Sequence, residues 1–149
     1  MRGRFDPAAA LGVGAHVTVL YPFLPVSHLG DGLFEQLAGL AAGHPAFDLR
    51  LSRLGRFPGV VYLAVEPEGP VRRLTDACAA RWPDHPPYGG VFDDVVPHLT
   101  IGHGEDDLAA EAEASITPRL PIAARVDALS LVVFDGERWR VDRAFPLGE

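Results

Sequence analysis

At 149 residues, 48% hydrophobic and 22% charged, the chain has the size and composition of one soluble globular domain with a full core. No apolar run approaches the ~20 residues that span a bilayer, and Met1-Arg2-Gly3-Arg4-Phe5-Asp6-Pro7 lacks the apolar stretch of a secretory signal, so a cytoplasmic protein with no membrane partner is expected. Residues 1–73 hold seven Arg against six acids, residues 74–149 hold six Arg against fourteen, and Lys is absent; this balance, −7 in all, argues against tracking DNA or long RNA by phosphate neutralisation.

Along the chain, Ala15-His16-Val17-Thr18-Val19-Leu20 reads as a short strand followed by a Pro-rich turn. Leu33, Leu37, Leu40 and Ala41 then form the apolar stripe of a helix that Gly43 ends. Residues 47–54 alternate with period 2, and a Pro58-Gly59 turn leads into a second strand over 60–65. A helix over 69–81 puts Val71, Leu74 and Cys78 on one face with Trp82, which makes Cys78 a packing residue. As the only cysteine, it excludes an internal disulfide and a thiolate metal cluster. After a loop from Pro83 to Pro97 comes a second short strand, Pro97-His98-Leu99-Thr100-Ile101-Gly102. An acid-led helix follows from Glu105-Asp106-Asp107, with Leu108, Ala112 and Ile116 on one face and Pro118 at its end. A long strand from about Ile122 to Phe134, an Asp135-Gly136 turn and a strand over 139–145 complete the chain.

Each half therefore reads strand, helix, hairpin, an internal repeat of about 15–66 and 97–146 within a single domain, 1–149. That order predicts an α+β fold with antiparallel sheets and helices outside. Two similar units are expected to pack about a pseudo-two-fold axis, with the two His-x-Thr strands side by side in a central cleft.

In a strand, residues two apart share a face, so His16 and Thr18 point one way, as do His98 and Thr100. Random placement of six His and eight Ser or Thr would give about 0.3 such pairs before an apolar strand is required. A lone copy reads as a half-buried strand histidine. Two copies supply two proton-transfer groups and two neutral hydrogen-bond donors, which suits metal-free chemistry on a phosphodiester.

The motifs His16-Val17-Thr18-Val19 and His98-Leu99-Thr100-Ile101 resemble the paired signature of the 2H phosphoesterase superfamily, which includes 2′–5′ RNA ligase-like proteins and cyclic phosphodiesterases. The segment 16–23, Gly55-Arg56-Phe57-Pro58-Gly59 and Pro86-Pro87-Tyr88-Gly89-Gly90 look like its bacterial branch, and the resemblance runs from about Asp6 to Pro146. It implies a bilobal fold of two antiparallel sheets around a cleft. It also implies opening of 2′,3′-cyclic or related cyclic phosphates, on an RNA end or a small nucleotide, with no metal and no cofactor. Relatives carry a further strand before the first motif, whereas only fifteen residues precede His16 and residues 8–14 are rich in Gly and Ala. Either the natural start lies upstream or one lobe is trimmed.

The expected catalytic residues are His16 and His98 as general acid and base, in an order left open, with Thr18 and Thr100 donating to the phosphoryl oxygens. Tyr88, in the loop before the second motif, and Tyr21, after the first, are the expected substrate-binding residues, Tyr88 by stacking on a base or ribose. A few Arg among Arg50, Arg53 and Arg56 can serve an anionic substrate if they converge on the pocket. A metal site would have to recruit Asp93 and Asp94 to His98, since His-x-Thr is no metal spacing and alternation turns His103 to the other face. His28, His44 and His85 lie beside Pro or in turns and carry no visible chemistry. A monomer is expected. The competing readings are a module that binds a phosphate or RNA end without turnover, and a relative recruited to other acid–base chemistry on a small molecule.

Overall fold

The computed structural model describes residues 16–21, 23–90, 96–103 and 106–148. In chain order its elements are α1 (Asp31–Ala42), β1 (Phe47–Phe57), β2 (Val60–Glu66), α2 (Gly69–Arg81), β3 (His98–His103), α3 (Asp106–Ile116), β4 (Ile122–Val126), β5 (Ala128–Phe134) and β6 (Trp139–Pro146).

Alternation sets the first sheet. Leu49 and Leu51 of β1 are buried while Asp48 and Arg50 are exposed. Gly59 takes a φ of +73° at the turn, a value that side-chain-bearing residues avoid, and β2 returns antiparallel. Val61, Leu63 and Val65 of β2 are almost fully buried. With Leu49, Leu51, Ile101 of β3, and Ala112 and Ile116 of α3, they form the first core. The strand order is β3-β2-β1-β4, antiparallel throughout.

The second core lies under the hairpin β5–β6. Leu33, Leu37 and Ala41 of α1 and Leu74 of α2 pack with Phe145 and Leu147. The hairpin turn is held by the Asp135 carboxylate, which accepts from the N–H groups of Glu137 (2.9 Å) and Arg138 (2.8 Å). Those bonds keep the Asp135 pKa below the usual carboxylate range.

Helix α2 matches its expected span, and α1 ends at the expected Gly43, whose N–H donates to the carbonyls of Gly39 and Leu40. Cys78 is buried on α2 beside Val71 and Leu74, and burial pushes its thiol up to about 11. The α+β class holds, but three details differ from expectation. The single strand expected over 122–134 is two strands in two sheets, because the chain crosses from one core to the other at Asp127, whose carbonyl accepts from Leu147. Val126, just before it, packs against both cores. As a result, the described residues form a four-stranded and a two-stranded sheet instead of two matched halves. Finally, the first His-x-Thr segment contributes one isolated bridge instead of a strand. The expectation about a preceding strand concerns residues 1–15, outside the described residues.

Candidate active site

The two motifs meet through a single antiparallel bridge, Val17 to Leu99. Both residues pack against the first core. Antiparallel register then sets His16 across from Thr100 and Thr18 across from His98, all four on the face turned away from that core. The imidazoles lie on one diagonal of this square, where backbone positions are roughly 7–8 Å apart. An antiparallel pair is two-fold symmetric about its centre, so each His has a Thr beside it in the same relation.

The first motif keeps its place without a strand because it is pinned on both sides. Val17 seats in the first core and Val19 in the second. The Thr75 hydroxyl of α2 donates to the Val19 carbonyl at 2.8 Å. Two residues on, the Tyr21 carbonyl accepts from the Tyr88 N–H at 2.6 Å. The motif therefore sits on the seam between the two cores.

The second motif is fixed by sheet and rings. The Nδ1–H of His98 donates to the Val96 carbonyl at 2.7 Å, which in the neutral ring leaves the lone pair on Nε2. The face beside His98 is aromatic. Phe57 and Tyr62 stack on each other with centroids 4.3 Å apart, and His98 meets both edge-on at 5.2 and 5.4 Å. Register explains the cluster: Tyr62 pairs with Thr100 on one side and Gly55 on the other, so Tyr62, Phe57 and His98 share a face. Gly55 is the notch that admits the ring, since a methyl there would fall 2.5 Å from Oη and 2.6 Å from Cε2 of Tyr62.

Tyr88 sits beside the first motif. Its hydroxyl is hydrogen-bonded to Thr18, and burial pushes its pKa above the usual phenol range, against the opposing effect of that bond. Its φ is +51°, a conformation uncommon outside glycine and held here by the bonds to Tyr21 and Thr18. Tyr21 lies half exposed, its ring 6.5 Å from Tyr88 and 6.3 Å from Trp139.

Arg53 pairs with Glu66 at 2.8 Å and Arg56 with Glu113 of α3 at 2.6 Å, while Arg50 is exposed on β1. Asp93, Asp94 and the His103 side chain lie outside the described residues. Among the described residues, no three His, Cys, Asp or Glu converge as a metal would require. The His44 Nδ1 lies 2.9 Å from the Leu40 carbonyl, a bond closing the end of α1. Sequence reasoning gave no role to Gly55, Phe57 or Tyr62. The available signal was an aromatic residue on each side of the Pro58-Gly59 turn with a glycine two residues before Phe57.

The family model of the 2′–5′ RNA ligase superfamily matches residues 1–138, nearly the whole chain. The chain belongs to that superfamily. Among solved structures, TT0787 of Thermus thermophilus superposes with a TM-score of 0.62 at 24% identity, covering 91% of this chain and 79% of its own. Escherichia coli LigT complexed with NADP+ gives 0.56 at 24% identity, covering 97% and 81%. The same protein complexed with 3′-AMP gives 0.54 at 19% identity, covering 97% and 82%. At these identities the likeness to solved structures is one of fold. Curated protein sequences contain no significant match.

Proposed function

We infer that the protein is a metal-independent cyclic phosphodiesterase, opening a 2′,3′-cyclic or related cyclic phosphate on an RNA end or small nucleotide. The observation that carries this reading is the antiparallel juxtaposition of His16-Val17-Thr18 with His98-Leu99-Thr100, which gathers two imidazoles and two hydroxyls on one face. The NADP+ and 3′-AMP held by E. coli LigT support a nucleotide-bearing substrate.

In this reading one His takes a proton from water as its oxygen attacks phosphorus. The ring P–O bond breaks, and the other His gives its proton to the departing ribose oxygen, leaving a phosphomonoester. Each transfer is worth ~10²–10⁴-fold. The local two-fold relation of the motifs makes the two roles interchangeable with the direction in which the ring is seated. The hydroxyls of Thr18 and Thr100 donate to the non-bridging oxygens as charge builds there. Tyr88 supports this: the hydrogen bond between its phenol oxygen and Thr18 fixes the orientation of that hydroxyl beside the phosphate. Tyr88 is thus a positioning residue. The aromatic pair Phe57–Tyr62 holds the His98 ring against the sheet.

Hydrolysis of adenosine 2′,3′-cyclic phosphate in EDTA, followed by phosphorus NMR, tests the reading. Turnover to one phosphomonoester isomer is expected, and the isomer identifies the leaving oxygen. No turnover of any cyclic phosphate, or turnover abolished by EDTA, would overturn it.

A further inference from the structure

The described residues expose five large hydrophobic side chains, Tyr21, Phe57, Val132, Phe134 and Val141. Phe57 borders His98. The other four lie on the Thr18 side, in one strip. From Thr18 the strip runs through the Tyr88 hydroxyl bond to Tyr21 at 6.5 Å, on to Trp139 at 6.3 Å and then to Phe134 at 5.2 Å. Phe134 and Trp139 are directly opposite each other across β5–β6, and the pair Val132–Val141 shares their face. Val141 is 62% exposed and Phe134 40%.

Packing does not account for this strip. The core of the hairpin lies on its other face, through Phe145 and Leu129. Successive rings are tilted to one another by 57°, 62° and 44°. The charges nearby are mixed: Arg140 is paired with Asp142 at 2.9 Å, and Asp135 holds the turn. A contiguous aromatic surface, joined to a hydrogen-bond donor of the site and lacking net positive charge, suits flat uncharged faces better than phosphates. Unstacked nucleobases have that chemistry.

We propose that Tyr21, Trp139 and Phe134 form a base-stacking track for the nucleotides that precede a cyclic-phosphate terminus, so that the substrate is a short single-stranded RNA and not a free nucleotide. The proposal rests on the reading above and extends it to the rest of the substrate. Each stacked base contributes about 5- to 150-fold in binding. Because stacking carries the affinity, its salt dependence is shallow.

The test compares kcat/KM for cyclic-phosphate-terminated mono-, di- and tetranucleotides in wild type, Phe134→Ser and Val141→Glu. The wild type is expected to gain at least about fivefold per added base over the first two. Phe134→Ser should lose most of that gain. Val141→Glu changes the most exposed of these residues, so it spares the fold and sets a negative charge in the path of the phosphates. A rate independent of length, or a gain that both variants keep, would overturn the track while leaving the cyclic phosphodiesterase intact. Binding is read separately with a 3′-phosphorylated tetranucleotide and the fluorescence of Trp139, in a Trp82→Phe background. Quenching supports the track whatever the turnover, and its absence refutes it. Light scattering showing a dimer that Phe134→Ser dissolves would assign the strip to a second copy of the chain instead.

Discussion

Gly55→Ala separates the cost of folding from the cost of positioning. The backbone of Gly55 lies outside the left-handed region, so alanine fits it and by itself would stabilise by about 0.4–1 kcal/mol through the unfolded chain. Against this, the added methyl falls within 2.6 Å of the tip of Tyr62. Overpacking costs typically about 1–3 kcal/mol, at the low end here because the atoms met are the far end of a side chain and not backbone. The two contributions nearly offset, so the melting temperature should move by less than about 4 °C. Activity should respond more strongly. Tyr62 is pushed towards Phe57, 4.3 Å away, and His98, 5.4 Å away, and under the proposed mechanism a displaced His98 ring costs on the order of 10²-fold in kcat. Melting curves and steady-state kinetics on a cyclic nucleotide give both numbers. The decisive comparison is a double-mutant cycle: in a Tyr62→Ala background the clash is gone, and Gly55→Ala should have no further effect on kcat. An unchanged effect in that background would refute the reasoning.

Gly148→Ala makes the converse case, since its methyl would meet the Ala42 carbonyl oxygen, which is backbone and cannot swing aside. A loss of about 1–3 kcal/mol in denaturant unfolding is expected, with kcat per folded molecule unchanged. Tyr88→Phe removes the bond to Thr18 and should lower kcat by about 3- to 10-fold with little change in KM, as one hydrogen bond of ordinary strength predicts. An unaltered kcat would remove Tyr88 from the positioning of Thr18. Cys78 has a folded pKa raised from 9.0 to about 11, so the unfolded chain loses its thiol proton first. Its contribution to stability is full below pH 9 and is lost as pH rises towards 11; Cys78→Ala should flatten that decline in urea titrations.

Much of this molecule is legible in local pattern. The stripe Leu33, Leu37, Ala41 and the face Val71, Leu74, Cys78 locate α1 and α2 because helices bury one face. The two His-x-Thr segments can be found because apolar residues alternate with them, and alternation alone puts each His and Thr on one side. What local pattern does not carry is set by contacts distant in sequence. The apolar run 122–134 bears no local mark of the transfer between sheets at Asp127, which depends on where Leu147 lies. The strand expected at 15–20 reduces to one bridge, since its position is held by Thr75 and Tyr88 instead of a ladder. The loop position of Tyr88 draws notice in the sequence, but where its hydroxyl goes is decided by a backbone conformation at +51° that a tyrosine rarely adopts. The rings of Phe57 and Tyr62 gain their meaning from register with β3, a strand far away along the chain.

The central claim is that two histidines, brought together by the bridge between Val17 and Leu99, act on one phosphorus. Single-turnover rates of His16→Ala, His98→Ala and the double variant, measured in EDTA on one cyclic phosphate, test it most directly. Each single variant is expected to lose ~10²–10⁴-fold, since each removes one of the two proton transfers. Either single variant retaining the wild-type rate would contradict it.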